Sequence, residues 1–137
     1  MDYLVKDQYG EVFVVENHQI TKVDCSLERY LNHLLELRLS SLQATLKSVK
    51  RNLNIAHLTP LYINQKTLLF PLSGRRSKET IYLNFHQIDQ IETHHQHQAI
   101  ISFKNNHQMI LSSRKTLYRG LTKCEKIIDY LNEINSK

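Results

Sequence analysis

The sequence predicts an α+β fold: a mostly antiparallel sheet, with a long helical segment after the N-terminal strands and a helix at the C-terminus. Three observations predict it. Apolar residues recur at spacings of three and four over residues 26–54, alternate with period two over 60–113, and return to helical spacing over 114–135. The chain has 137 residues, three Gly and two Pro, with no Gly-, Ser- or Pro-rich break and no internal repeat, so it reads as one domain over 1–137.

Residues 1–25 read as strands. "YLVK" and "EVFVVE" are β-rich, and Val12 and Val14 face away from Phe13 and Val15; Asn17-His18 reads as a turn before "QITKV". Asp24 or Ser26 can cap the helical segment, whose stripe runs through Leu27, Tyr30, Leu31, Leu34, Leu35, Leu39, Leu42, Leu46, Val49 and Leu53. Ser40-Ser41 is a candidate break within it, and Lys47, Lys50 and Arg51 lie off the stripe. After Pro60, "LYIN", "TLLFPL", "TIYLNFHQIDQIE", "AIISFK" and "QMILS" alternate as strands, with His86 inside the third. Asn105-Asn106 marks a tight turn, since Asn tolerates positive φ. Ser112 or Ser113 caps the last helix, whose stripe is Leu117, Leu121, Cys124, Ile128 and Leu131; Gly120 reads as a mild weakness in its interior.

Charge is segregated. Residues 1–36 hold seven acids and three bases, whereas residues 37–137 hold fifteen bases and six acids. Eight bases and no acid lie between Leu37 and Lys78, and five bases and no acid between Thr93 and Cys124. Such a distribution makes a positive field that attracts polyanions. The sharpest concentration is "SGRRSK", a turn carrying Arg75, Arg76 and Lys78 between two strands. Long cationic side chains on a turn can reach into a groove, and a narrow A·T-rich minor groove has the potential that attracts Arg. Lys104, Arg114, Lys115 and Arg119 are expected phosphate contacts. The last three lie near the start of a helix, where cations oppose the helix dipole.

Other chemistry is poorly represented. There is no phosphate-binding Gly-rich loop, HExxH or GxSxG, so no enzymatic activity is expected. His94, His95 and His97 cluster in a loop, but without a Cys or carboxylate at ligand spacing they do not make a structural zinc site. No metal and no cofactor are therefore expected. No apolar run approaches the length of a membrane span, the N-terminus is acidic and patchy, and Cys25 and Cys124 form no CxxC; these features read as reduced thiols in a cytoplasmic protein with no membrane partner.

The order of several motifs resembles the competence transcription factor (ComK) family of Gram-positive bacteria. The resemblance runs over about residues 40–118. It is carried by Ile55, His57, Pro60 and Leu61; Phe70-Pro71; the basic loop with Ser73 and Arg76; Tyr82, Leu83 and His86; and Phe103 with Asn105. Ala44-Thr45, Thr80-Ile81 and Asn105-Asn106 depart from the family pattern, so the chain reads as a divergent, short member. The resemblance implies a transcriptional activator of competence genes that binds A·T-rich duplex DNA largely from the minor groove. It also implies a homodimer or higher oligomer, and a protease adaptor among the partners. Residues 80–121 also resemble a LytTR-type β DNA-binding domain. A pleckstrin-like module that binds a protein or acidic ligand, modulating a regulator without touching DNA, would predict the same strand-strand-helix ending.

Overall fold

The computed structural model describes residues 1–136. Strands β1 (Tyr3–Lys6), β2 (Val12–Glu16) and β3 (Gln19–Val23) lead into helices α1 (Leu27–Glu36) and α2 (Leu42–Leu53). Then follow β4 (Leu61–Asn64), β5 (Thr67–Pro71), β6 (Thr80–Asn84), β7 (Ile88–His94), β8 (Gln98–Phe103) and β9 (Gln108–Leu111), and finally α3 (Arg114–Asn135). The α+β class is as the residue periodicities predict.

The strands after Pro60 do not share one sheet. They divide between a six-stranded sheet in the order β3-β2-β1-β6-β5-β4 and a three-stranded sheet β7-β8-β9, and every pair is antiparallel. Two local causes account for the split. The N-terminal strand β1 inserts beside β6, with Leu4 opposite Tyr82. A 3-10 turn at Phe85–Gln87 then ends β6, so His86 lies in that turn and not in the strand expected for it. The buried Asn84 organises the corner. Its Oδ1 accepts from the Leu68 and His86 amides, and its Nδ2 donates to the Met1 and Lys66 carbonyls. A buried amide with all these groups paired is stabilising, whereas an unpaired one costs about 1–3 kcal/mol.

Each face of the six-stranded sheet is covered. Leu4, Leu61, Leu69 and Tyr82 pack under Leu27, Leu31 and Leu35 of α1 and Leu42 of α2. On the opposite face Leu68, Phe70 and Leu83 pack against the small sheet and against Leu117, Cys124 and Ile127 of α3. Both sides of β5 are therefore buried, which explains why "LLFP" is apolar without interruption.

Serine begins each helix: the side chains of Ser26, Ser41 and Ser113 accept from the amides of Arg29, Ala44 and Thr116. The long helical segment breaks at Ser40-Ser41. Leu39, expected on the apolar stripe, instead lies in the break, exposed and in a left-handed conformation with φ 62°, and Asn32 Oδ1 accepts from the Leu42 amide at 2.7 Å. Gly120 has a role beyond weakening α3. A Cβ there would lie 2.5 Å from the Phe70 ring, so the missing side chain lets α3 sit directly on β5. At the hairpins, Asn17 and His18 both have positive φ, as a two-residue turn between antiparallel strands requires, and Asn106 does the same after β8.

Candidate nucleic-acid interface

The "SGRRSK" segment joins β5 to β6. The Ser77 amide donates to the Gly74 carbonyl at 3.0 Å, closing a turn whose two central residues are Arg75 and Arg76. The base of the loop is tied across. Thr80 Oγ1 donates to the Gly74 carbonyl at 2.7 Å and meets Ser73 Oγ, whose hydroxyl donates to the Glu79 carbonyl. From β1, Lys6 Nζ donates to the Arg75 carbonyl. The tip is thus presented on a braced stem, and a braced loop loses less conformational entropy on binding.

Within that loop the three cations differ. Arg75 is partly buried and its guanidinium meets Glu28 of α1 at 3.1 Å, so part of its charge is already paired. Arg76 and Lys78 are exposed and take part in no ion pair among the described residues. Beside the loop lies a groove bordered by Leu42 and Leu46 of α2 and by the segment Ala56–Thr59.

That segment also borders α3, because Lys123 Nζ donates to the His57 carbonyl at 2.7 Å. Burial, with help from the neighbouring Arg119 charge, lowers the Lys123 pKa from its ordinary value. Lys123 belongs to an open groove along α3 lined by Lys115, Tyr118, Arg119, Thr122, Lys123 and Lys126. Lys115, Arg119 and Lys126 are exposed and form no ion pair among the described residues. The same outward side of α3 becomes acidic further on, at Asp129 and Glu133.

The remaining expected contacts are dispersed. Arg114 begins α3, but its guanidinium donates to the Gln96 carbonyl and its amide to the His97 carbonyl. It therefore docks the His94–His97 hairpin tip onto the helix start. Lys104 is exposed in the β8–β9 turn and lies across α3 from the basic groove, beside His86, Asp89 and Glu125. Burial, and then the Lys104 charge, lowers the His86 pKa from its ordinary value. Sequence reasoning missed Lys123 and Lys126, although the spacing 115, 119, 123, 126 was a readable helical signal.

The rings of His94 and His95 are tilted 59° to one another with centroids 4.2 Å apart. Among the described residues no group of three or more His, Cys, Asp or Glu is placed to hold a metal ion, and no helix is long and apolar enough to cross a membrane. Cys25 and Cys124 are both free thiols. Burial pushes the Cys124 thiol pKa far up, so the thiol is protonated and poorly nucleophilic.

Braced arginines on a turn, together with an acid-free basic groove on a neighbouring helix, define a surface suited to a polyanion. The family model described as ComK protein matches residues 4–133, and the chain belongs to the ComK family. Membership supports a DNA-binding regulatory role in general terms. No curated protein and no solved structure matches the chain.

Proposed function

We propose that the protein is a transcriptional regulator that binds A·T-rich duplex DNA, with the Arg75–Lys78 loop entering the minor groove and cations on neighbouring elements meeting phosphate. The observation that carries this reading is the turn Gly74–Ser77, which holds Arg76 exposed at a corner on a hydrogen-bonded stem. Arg76 and Lys78 act in the groove; Arg75 contributes less of its charge because Glu28 shares it. Lys115 and Arg119 contact phosphate. Arg114 and Lys104 rank below them, since Arg114 holds the histidine hairpin and Lys104 lies on the far flank of α3. The family pattern extends the proposal to activation of competence genes, to paired copies on paired half-sites, and to removal through a protease adaptor.

Fluorescence-anisotropy titration of an A·T-rich and a G·C-rich duplex tests it. If about six phosphates are neutralised, log K falls against log[salt] with a slope of about −5 between 50 and 200 mM salt. Arg76→Ala should shrink the A·T over G·C preference by about 1–3 kcal/mol while leaving the melting temperature unchanged. Absence of binding at low salt would remove the DNA reading and favour a protein-binding module. A folded Arg76→Ala variant that keeps the wild-type preference would show that the loop is ordinary solvated surface.

A further inference from the structure

The outer side of α3 is organised differently from an ordinary solvated helix face. Helices are stabilised by acids in the first turn and bases in the last. α3 has no acid in its first turn and no base in its last; three of its four groove cations, Lys115, Arg119 and Lys123, fall in the half nearer the N-terminus, and Lys126 lies just past the midpoint. From Lys115 to Lys126 the helix rises about 16 Å at 1.5 Å per residue. That length is enough to meet more than one phosphate of a DNA strand. Tyr118, about half exposed, places a phenol among these cations. Thr122 is occupied internally, since its hydroxyl donates to the Tyr118 carbonyl.

We propose that this face of α3, through Lys115, Tyr118, Arg119 and Lys126, is a second DNA site that follows the phosphates of one strand beside the groove entered by the loop. This rests on the DNA-binding reading above. Lys123 acts within it as a positioning residue. Its ammonium group anchors α3 to the His57 carbonyl, in the segment that also backs Arg75 and Arg76. The loop and the helix therefore share one support, and a duplex held by one is placed for the other. The acidic Asp129 and Glu133 mark where the rail ends.

The test compares two lysines that carry the same charge at different places. Lys126→Gln removes a rail cation; Lys66→Gln removes an exposed cation from the β4–β5 turn. Binding is measured by anisotropy on A·T-rich and G·C-rich duplexes at 50 and 200 mM salt. Lys126→Gln should flatten the salt slope by about 0.9 on both duplexes, so that its deficit at 50 mM exceeds that at 200 mM about 3.5-fold. The A·T preference should not change. Arg119→Gln should behave alike, and Lys66→Gln should leave the slope at its wild-type value. Equal effects from Lys66 and Lys126 would reduce the rail to net charge and overturn the proposal, as would rail variants that bind like wild type. If the wild-type protein binds neither duplex, the DNA reading itself fails and the rail fails with it. Circular-dichroism melting of each variant establishes that the fold is intact, and either rail position suffices for the comparison.

Discussion

Helices α2 and α3 both carry three or more exposed bases, but they carry them at opposite ends. On α2, Lys50 and Arg51 lie in the last turn, where the carbonyl end of the helix attracts cations. On α3, Arg114 and Lys115 open the helix and Glu133 stands near its end, so both signs oppose the dipole. The attachments differ as well. α2 fully buries only Leu42, whereas α3 buries Leu117, Gly120, Cys124 and Ile127. One helix places its cations where folding benefits from them. The other keeps cations where folding is weakened, and it is held to the sheet firmly enough to do so. On the proposed DNA-binding reading, position along the helix, more than the number of bases, separates structural cations from those that meet a partner.

The largest expected effect attacks the attachment of α3. Gly120→Leu would force a side chain into the Phe70 ring, which already lies 2.5 Å from the place of a Cβ. Overpacking of this severity should cost about 3 kcal/mol or more, at the upper end of small-to-large substitutions. Ala44→Leu, at an exposed position on α2, should change stability by less than about 0.5 kcal/mol. Urea denaturation of both variants reads the difference. A Gly120→Leu protein as stable as wild type would mean that α3 is not clamped by Phe70, and the contrast between the helices would lose its mechanical half.

The two cores beneath these helices also contain ionisable groups. Tyr82, below α1 and α2, is raised to about 12, chiefly by burial. Cys124, below α3, is raised by burial, with Glu125 adding to it. In each case the native state keeps its proton at a pH where the unfolded chain has released it. Stability is then complete below the unfolded pKa and declines as pH rises above it. The Cys124 contribution should begin to fall near pH 8.5, and the Tyr82 contribution near pH 10, the ordinary values of the two groups. About two units for Tyr82 correspond to about 2–3 kcal/mol lost by pH 12. In Cys124→Ala the decline should start only near pH 10, from a lower plateau because a cavity is left. Denaturation midpoints between pH 7 and 11 decide this; an unchanged onset in Cys124→Ala would separate the thiol from the alkaline loss.

Much of this arrangement was legible in the residues. Ser113 and the spacing Leu117, Cys124 specify α3, and Ser41 marks the break before α2. The loop cations were visible as a cluster between two strands. Three features were not visible, each for the same physical reason: they depend on contacts far apart in the chain. The division into two sheets rests on β1 pairing with β6, nearly eighty residues on. The partial neutralisation of Arg75 rests on Glu28, 47 residues away. The use of Gly120 as a packing device rests on Phe70, and helix propensity alone shows only the cost of that glycine. Lys123 and Lys126 are a different matter. Their helical spacing from Lys115 and Arg119 was available, but an acid at Glu125 obscured a face that only the rotation of the helix separates from it.

The smallest expected effect addresses charge position directly, through its sign. Lys115→Glu places an acid in the first turn of α3 and should stabilise the protein by about 0.3–1 kcal/mol. Arg51→Glu places an acid in the last turn of α2 and should destabilise it by a similar amount. DNA affinity should move the other way for the first variant. Lys115→Glu should bind more weakly although it is the more stable protein, because a phosphate contact becomes a repulsion. Arg51→Glu should bind nearly as wild type does, apart from a general field effect that salt screens. Thermal melting at low ionic strength resolves the stability signs, and anisotropy at 50 and 200 mM salt resolves the affinities. Two variants with the same charge change would then separate stability from binding in opposite directions. If both instead lowered affinity equally, with no opposite signs in stability, the cations of α2 and α3 would be equivalent, and their placement along the two helices would carry no functional meaning.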